Sequence, residues 1–377
     1  MKAPAPPPAQ LFDCRLPDSA LTTLTDPFRL GQLAAGPAVG QLEQAIAARH
    51  PGRYAVAVGD MTHALVMALR LAGVRQGDEV LSLAFNCMSS NSAIAMIGAD
   101  VAWVDVDPAT ATFDIDQART RITARTKAVV AYHVSGYPAD LATLRTLCDD
   151  HGLPLIEDVN NAFGACSNGQ DVGMAGDFAV FSLYANRQVN GIDGGILLCA
   201  RAQDADHARR LRRFGIDTAR FRDGDGEIDP RLDVPEIGTS SSLDNIHATL
   251  ALASLADVDH RIARSRHNVA MLAERTHDLP LVPIAARPGA EPVYWTWLIR
   301  LADRDTAMRA LKARGVLCSK LHYPNHHYSG FGTPPHDLPG TMVLEAEMLA
   351  IPCGWWLDDT AIAGIAETIA DVMEARA

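Results

Sequence analysis

The stretch KAVVAYHVSGYPADLATLRTLCDDHGLPLIEDV, residues 127–159, decides the fold of this chain. It begins with a nearly continuous apolar run (127–134) and ends with a second one (153–159). The segment between them, 139–152, spaces its apolar residues as a helix does. Two buried strands joined by a helix predict a parallel pair with a crossover connection, which is the building unit of α/β proteins.

The same alternation continues on both sides of this stretch. The strand-like runs are YAVAVG (54–59), DEVLSLAF (78–85), VAWVDVD (101–107), FAVFSLY (178–184) and GGILLCA (194–200). The helix-like segments are QLEQAIAARH (41–50), THALVMALRLAGV (62–74) and NSAIAMIGA (91–99). Apolar strands that alternate with helices predict a mostly parallel sheet covered by helices on both faces.

The character of the sequence changes after residue 200, where long helical stretches and a loop rich in Gly, Asp and Ser appear. We therefore predict three parts. Residues 1–24, rich in proline and alanine at their start, form a disordered tail. Residues 25–245 form a large domain, and residues 246–377 form a connecting helix with a smaller C-terminal α/β domain.

Composition narrows the class of protein. The formal net charge is −12 and there is no basic run, so we expect no nucleic-acid surface. No apolar stretch is long enough to span a bilayer, and the start of the chain lacks the apolar core of a secretory signal. The seven cysteines are scattered without metal-ligand spacing, so we predict reduced thiols, no metal site and a cytoplasmic location.

An ordered set of motifs then carries a family resemblance. The motifs are GDEVLSLAF (77–85), GADVAWVDVDPATATFDID (98–116), RTKAVVAYHVSGYPADL (125–141), HGLPLIEDVNNAFGA (151–165), GDFAVFSLYANRQVNGIDGG (176–195) and HYP (322–324). Together they resemble the sugar-aminotransferase (DegT/StrS-type) family of fold-type I pyridoxal-phosphate (PLP) enzymes. The resemblance implies a large domain with a seven-stranded-type sheet, a homodimer, and amino transfer onto keto-sugars or cyclitols.

Four residues match positions that hold the cofactor in that family. Asp158, at the end of a predicted strand, matches the carboxylate that faces the pyridine nitrogen. Asn161 stands where the family often has a glutamine near the ring hydroxyl. Ser182 and Thr62 match residues that contact the phosphate, and Thr62 also opens a predicted helix.

Other positions depart from the family pattern. Arg187 occupies the place of the lysine that forms the Schiff base, and a guanidinium can neither form that bond nor act well as a base. Met61 replaces a glycine of the phosphate loop, and Cys87 replaces an aromatic that stacks on the pyridine. Ser240 and Ser242 replace an asparagine and an arginine that reach the partner's cofactor. We therefore expect ordinary lysine-dependent transamination to be lost.

Several alternatives stay open at this stage. One keeps PLP or its amine form (PMP) bound non-covalently, with His63, His133 or His322 as the base and with His322 and Tyr323 of the HYP motif near the substrate. A second discards the cofactor, so that Arg187, Cys87, His63 and Asp158 line a repurposed pocket. A third is a non-catalytic binding homologue, and a fourth is an ordinary aminotransferase with an engineered Lys-to-Arg change. The interpretation we favour is a biosynthetic enzyme that acts on a small polar substrate, with PLP or PMP bound non-covalently or not at all.

Overall fold

The computed structural model of the chain describes residues 8–332 and 337–375. Its helices are α1 (Ser19–Thr23), α2 (Thr25–Leu30), α3 (Ala38–Arg49), α4 (Met61–Leu71), α5 (Met88–Met96), α6 (Ile115–Arg121), α7 (Leu141–His151), α8 (Ala202–Leu211), α9 (Asn245–Leu255), α10 (Val258–Arg275), α11 (Arg304–Ala313), α12 (Pro339–Glu347) and α13 (Asp359–Glu374). Its strands are β1 (Tyr54–Val58), β2 (Glu79–Leu83), β3 (Asp100–Val104), β4 (Val106–Asp107), β5 (Thr112–Phe113), β6 (Thr126–Tyr132), β7 (Leu155–Asp158), β8 (Cys166–Ser167), β9 (Gln170–Asp171), β10 (Phe178–Ser182), β11 (Gly195–Cys199), β12 (Val282–Pro283), β13 (Ala290–Glu291), β14 (Trp297–Arg300) and β15 (Met348–Ile351).

The main sheet has seven strands in the order β1-β11-β10-β7-β6-β2-β3. The strands from β10 to β3 pair in parallel, whereas β11 is antiparallel to both of its neighbours, β1 and β10. The predicted α/β class with a large, mostly parallel sheet is confirmed.

Helices cover both faces of this sheet, and the strand residues alternate between the two cores. In β1, Ala55 and Ala57 belong to one buried cluster, which α3, α9 and the start of α10 complete. Val56 and Val58 belong to the cluster on the other face, beneath α4, α5 and α8. Because both faces bury apolar side chains, the strands are nearly continuous apolar runs, as the sequence shows.

A second, three-stranded antiparallel sheet has the order β12-β14-β15 and packs with α10, α11 and α13 around Trp297. Along α10, Ile262 joins the core of the main sheet, whereas Leu272 joins the core of the smaller unit. The first part of α10 therefore packs on the main sheet, and its last part packs in the core of the smaller unit. The predicted boundary, between residues 245 and 246, lies at the first residue of α9.

Residues 8–16, which we name the N-terminal strap, lie against both units. Phe12 stacks on Trp295 with ring centroids 4.2 Å apart. Backbone hydrogen bonds hold the strap at Ala9, and the Asn190 side-chain amide donates to the Cys14 carbonyl at its other end. The composition predicts a disordered tail over residues 1–24, whereas the part from residue 8 makes defined contacts and includes α1. The difference arises because the aromatic partner of Phe12 lies far along the chain, beyond what local composition can indicate. Residues 1–7 lie outside the described residues.

Candidate functional site

Strands β6, β7 and β10 end at the same edge of the main sheet. Tyr132 is the last residue of β6, Asp158 of β7 and Ser182 of β10, and Tyr132 and Asp158 are paired in register. The carboxyl edge of parallel strands is where open α/β sheets bind ligands. This edge is therefore the candidate site.

Arg187 lies in the loop between β10 and β11 and is only 8% exposed. Its Nε donates to Asn160 Oδ1 at 2.8 Å, and its Nη1 donates to Asn186. The guanidinium lies 4.6 Å from the ring centre of Trp295, the residue on which the strap's Phe12 stacks. Burial lowers the pKa of Arg187 from its ordinary 12.5, but a guanidinium remains charged in proteins. The site thus contains a fixed, buried positive charge against an aromatic wall.

Asp158 supplies the negative charge of this edge and is fully buried. Its Oδ2 accepts from Ser90 Oγ at 2.5 Å, and its Oδ1 accepts from the backbone N–H of Asn160 at 3.1 Å. Burial raises the pKa of Asp158 from 3.8 to about 6, although both of these donors act in the opposite direction. Asp158 is thus a carboxyl group that changes its charge just below neutral pH.

Tyr132, Asn161 and His322 form a hydrogen-bonded row beside Arg187. The Tyr132 hydroxyl lies 2.7 Å from Asn161 Nδ2 and 3.0 Å from His322 Nε2. Burial, and to a lesser degree the charge of Arg187, lowers the pKa of His322 to about 3. Asn161 Oδ1 is buried without a hydrogen-bond partner among the described residues. The row brings the predicted residues Asn161 and His322 together through a tyrosine.

His133 follows Tyr132 directly but faces different partners. Its Nδ1 accepts from the backbone N–H of Ala139 at 3.0 Å, and its Nε2 lies 3.3 Å from Glu157 Oε2. A ring nitrogen that accepts a hydrogen bond carries no proton, so His133 is a neutral imidazole with its proton on Nε2. The side chain of His133 is fully buried, and its Nε2 makes no regular hydrogen bond among the described residues beyond this 3.3 Å approach to Glu157.

Cys87 is the N-cap residue of α5 and is partly buried. Its Sγ lies 3.2 Å from Ser89 Oγ. The thiol is near enough to Arg187 and Tyr132 to act on their charge states. The structure therefore brings the predicted residues Cys87, Arg187 and Asp158 to one edge.

The first turn of α4 lies next to the start of β11. Asp60 caps the helix: its Oδ1 accepts from the His63 backbone N–H at 2.9 Å, and its Oδ2 lies 2.5 Å from His63 Nδ1. Met61 is 5% exposed and packs into the core, whereas Thr62 is partly exposed. A side chain at Gly195 would place a Cβ only 2.7 Å from the Asp60 carbonyl, which explains the glycine there. In this turn, the Nδ1 of His63 is therefore bound to the Asp60 carboxylate.

Three further predicted residues are more peripheral. Ser182 pairs with Gly195 in register, and its Oγ accepts from the backbone N–H of Tyr184 at 3.2 Å. Ser240 is exposed on the segment before α9. Tyr323 is 52% exposed and stacks on a neighbouring histidine. Among the described residues, no hydrogen bond, ion pair or ring contact joins Ser240 or Tyr323 to Arg187.

His322 also lines a cavity of about 520 Å³. It is lined by Arg304, Ser319, Lys320, Leu321, His322, Tyr323, Met342, Glu345 and Ala346. The Lys320 ammonium and the Arg304 guanidinium both bond to Asp305. His322 therefore contacts Tyr132 at the edge that carries Arg187 and also lines a space of ligand size.

The sequence patterns do not single out Tyr132, Asn160 or Trp295, although these residues hold the others in place. Tyr132 ends an apolar strand, where a tyrosine is usually a core residue. Asn160 lies between the predicted residues Asp158 and Asn161, and only this position in the sequence indicates that it belongs to the site. Trp295 comes from the smaller unit, and nothing local in the sequence links it to Arg187.

Two negative findings apply to residues 8–332 and 337–375. No set of three or more His, Cys, Asp or Glu side chains there has the arrangement needed to hold a metal ion. Within the same ranges, every helix is too short or too polar to cross a membrane.

Comparison with solved structures gives close matches over the whole chain. The aminotransferase TlmJ from Streptoalloteichus hindustanus is 28% identical, with a TM-score of 0.91 and with 98% of this chain and 100% of that chain covered. The sugar aminotransferase CalS13 from Micromonospora echinospora is 29% identical, with a TM-score of 0.90 and coverage of 96% and 99%. DesV from S. venezuelae, solved in complex with a ketimine intermediate, is 26% identical, with a TM-score of 0.91 and coverage of 98% and 99%.

The comparison with protein families agrees with these structures. The model of the DegT/DnrJ/EryC1/StrS aminotransferase family matches residues 17–370, which include both sheets and the whole candidate site. This match and the shared architecture bear out the resemblance drawn from the ordered motifs. The chain belongs to the DegT/DnrJ/EryC1/StrS aminotransferase family, with the fold of type I aminotransferases.

Proposed function

We propose that this chain is a biosynthetic enzyme of the sugar-aminotransferase type that acts on a small polar, anionic substrate without a lysine-linked cofactor. The observation that carries the proposal is the buried guanidinium of Arg187 at the edge of the sheet. Its Nη2 has no hydrogen-bond partner among the described residues and is not fully buried. Arginine recognises carboxylates and phosphates through paired N–H groups, so this free edge suits an anionic group.

The amine that the family's chemistry needs is missing from this edge. PLP is held covalently by an uncharged lysine, which also moves the proton. Among the described residues, Lys127 bonds to the Ala124 carbonyl, Lys320 bonds to Asp305, and Lys312 is exposed on α11. None of them reaches Arg187 through a recorded contact.

The turn that would take the cofactor's phosphate already holds a carboxylate. Asp60 caps α4, so its negative charge lies where the helix would attract an anion. A helix N-terminus attracts an anion by about 0.3–1 kcal/mol. Two unit charges 4 Å apart repel by about 1 kcal/mol in water and about 4 kcal/mol near a protein surface. The repulsion from Asp60 therefore outweighs the attraction of the helix.

Asp158 is also less suited to a pyridinium than its position implies. The positive charge of Arg187 already acts on Asp158, and its pKa is raised to about 6, so it keeps a negative charge less firmly than a carboxylate with more donors would. The residues present thus do not fit PLP or PMP, and we assign no step to either. The same edge does suit an anion, which would contact Arg187 while Trp295 keeps one face of the guanidinium from water.

We include a homodimer in the proposal. Several large apolar side chains are exposed near the start of the chain and before α9, among them Leu21, Phe28, Leu30 and Ile237, at 81%, 62%, 67% and 71% exposed. Exposed apolar side chains of this size are typical of surfaces that associate. Ser240 lies on the same segment as Ile237, so a second copy could bring it to the site of its partner.

A non-catalytic binding protein is the second candidate. The observation that favours it is that neither histidine beside Tyr132 is a ready base: His133 is fully buried with its Nδ1 accepting from the Ala139 N–H, and the pKa of His322 is lowered to about 3. Asp158 is then the remaining group at this edge that titrates near neutral pH. If the chain is an enzyme, Asp158→Asn should abolish turnover while ligand binding persists.

The first experiment tests the anion site with D-glucuronate as the probe and D-glucose as its uncharged counterpart. In calorimetric titrations, Arg187→Gln should weaken glucuronate binding about 10- to 100-fold, because a charged hydrogen bond contributes about 1.5–3 kcal/mol. Glucose binding should not change. Arg309→Gln, at an exposed position of α11, is the control and should behave as the unchanged chain. Equal glucuronate binding by Arg187→Gln would refute the proposed anion site.

The second experiment tests the cofactor. The purified chain should lack the visible band of a pyridoxal Schiff base, and Arg187→Lys alone should bind PLP weakly. Arg187→Lys combined with Asp60→Ser should bind PLP more tightly than Arg187→Lys, because the repelling carboxylate is gone. Tight PLP binding by Arg187→Lys alone would instead indicate an ordinary aminotransferase with an altered residue. A borohydride-trapped adduct on Lys320 would also overturn the proposal.

A further inference from the structure

Asn161, Tyr132 and His322 form a hydrogen-bonded row. The positions of their side-chain atoms are consistent with only one assignment of the protons. The Asn161 side-chain amide directs Nδ2 at the Tyr132 oxygen, so the hydroxyl must accept there. A hydroxyl has one proton, and the other neighbour of the Tyr132 oxygen is His322 Nε2 at 3.0 Å. Tyr132 therefore donates to Nε2, and the single proton of a neutral His322 ring must lie on Nδ1.

The charges around the row keep it in this state. Burial raises the pKa of Tyr132 well above 10, so the phenol keeps its proton. Burial and the nearby Arg187 lower the pKa of His322 to about 3, so the ring stays neutral near pH 7. A neutral imidazole whose Nε2 accepts a bond is a hydrogen-bond donor through Nδ1 and has no free basic nitrogen.

Nδ1 of His322 is also the ring atom that a ligand can reach. It has no hydrogen-bond partner among the described residues and is not one of their fully buried, unpartnered atoms. His322 lines the cavity of about 520 Å³ together with Lys320 and Tyr323. The Nε2 of the ring is therefore hydrogen-bonded to Tyr132, whereas its Nδ1 keeps accessible surface.

We propose that Tyr132 is a positioning residue that holds His322 as an Nδ1–H donor for the oxygen atoms of the substrate. The substrate class is a hydroxylated molecule with an anionic group: Arg187 takes the anion, and His322 takes a hydroxyl or carbonyl oxygen on the side of the cavity. The ligand in this statement rests on the proposed function, whereas the state of the ring does not.

The ring can be tested without any ligand. In two-bond ¹H–¹⁵N spectra of the labelled, full-length chain, His322 should give the pattern of a neutral ring protonated on Nδ1. Tyr132→Phe removes the donor to Nε2 and should shift the ring towards protonation on Nε2. Tyr137→Phe is the matched control, because Tyr137 is equally buried but its hydroxyl accepts from the Leu298 N–H. It should leave the His322 signals unchanged, and urea unfolding should show that both variants are folded.

Two results would overturn the inference. One is an Nε2-protonated His322 in the unchanged chain, which would mean that the Asn161 amide faces the other way. The other is an equal response of the ring to Tyr132→Phe and Tyr137→Phe.

D-glucuronate then tests the role of the ring towards a ligand. Its addition should shift the His322 Nδ1 signal, and Tyr132→Phe should weaken its binding several-fold. Glucuronate that depends on Arg187 but leaves Nδ1 unchanged would refute the donor role alone. If glucuronate does not bind, the proposed function fails together with the ligand part of this inference, while the ring state is still decided by the spectra.

Discussion

Glu157 and Asp158 are consecutive carboxyl groups of β7, both fully buried, and they face opposite sides of the sheet. Glu157 accepts from the backbone N–H groups of Gly173, Ala175 and Gly176 at 2.7–2.8 Å, with His133 on its fourth side. Burial acts to raise the pKa of Glu157, but these partners outweigh it and the pKa is lowered. For Asp158, two donors do not offset burial, and the pKa rises to about 6.

The comparison separates a carboxylate that holds the fold from one available to chemistry. A buried carboxylate whose oxygens all accept hydrogen bonds is stable as an anion, and it has no acceptor site left for a ligand. A buried charge with too few donors costs free energy until a proton or a ligand compensates it. A related distinction applies to the two histidines, since His133 is fully buried against Glu157 whereas His322 keeps one nitrogen accessible.

The largest expected effect concerns stability. Glu157→Gln should lower the free energy of unfolding by about 3–5 kcal/mol, because it removes the charge that three backbone N–H groups and an imidazole surround. Asp158→Asn, the matched change one residue away, should leave the free energy of unfolding at pH 7.5 unchanged or raise it by up to about 3 kcal/mol, because it removes a charge whose pKa is raised. Urea unfolding of both variants measures this. Equal losses would remove the distinction drawn here.

The second prediction concerns pH and has opposite signs for the two residues. The pKa of Asp158 is raised from 3.8 to about 6, so the stability it contributes is complete below pH 3.8 and lost as the pH rises through about 6. At about 1.4 kcal/mol for each unit of pKa difference, the total loss relative to Asp158→Asn is about 3 kcal/mol, and most of it falls between pH 4 and 7. The pKa of Glu157 is lowered, so its contribution is present above pH 4.5 and lost as the pH falls through the folded-state pKa. Urea unfolding should show the stability difference between the unchanged chain and Asp158→Asn falling as the pH rises from about 4 to 6. The difference between the unchanged chain and Glu157→Gln should instead rise with pH, and should do so below pH 4.5. Parallel slopes would contradict the assignment.

The smallest expected effect concerns one hydroxyl. Ser90→Ala removes the 2.5 Å donor to Asp158 and should raise the pKa of Asp158 above 6, by about one pH unit, since one buried hydrogen bond contributes about 1 kcal/mol. Ser89→Ala on the same helix is the control, because its hydroxyl contacts Cys87 instead. Carboxyl ¹³C shifts of Asp158 as a function of pH measure both variants. An unchanged pKa in Ser90→Ala would mean that burial alone sets it.

The main sheet and the position of Asp158 could be predicted from the sequence because both depend on local patterns. Strands buried on both faces are apolar runs, and the end of such a run locates Asp158 at the carboxyl edge. Arg187 could be located by its place in an ordered motif. What the pattern could not give is the direction of side chains: His133 and Tyr132 are adjacent, yet one faces Glu157 and the other faces Asn161.

The remaining features depend on contacts between distant segments. Trp295 and the N-terminal strap reach Arg187 only after the smaller unit packs on the large one, so no window of sequence contains the aromatic wall. The capping role of Asp60 is a local feature that the sequence does indicate, since an aspartate directly precedes the first residue of α4. The network around Glu157 joins three backbone N–H groups from a distant loop, and two of them belong to Gly173 and Gly176, where a Cβ would lie 2.8 Å and 2.6 Å from its nearest neighbour.

The stack of Phe12 on Trp295 has a consequence for how the chain matures. The two rings are 283 residues apart, and the second is made when roughly four fifths of the chain exists. At a synthesis rate of about 5–20 residues per second, about 15–60 s pass between the synthesis of Phe12 and that of Trp295. The wall beside Arg187 is therefore one of the last elements that a nascent chain can complete, and any product terminated before Trp295 lacks it altogether.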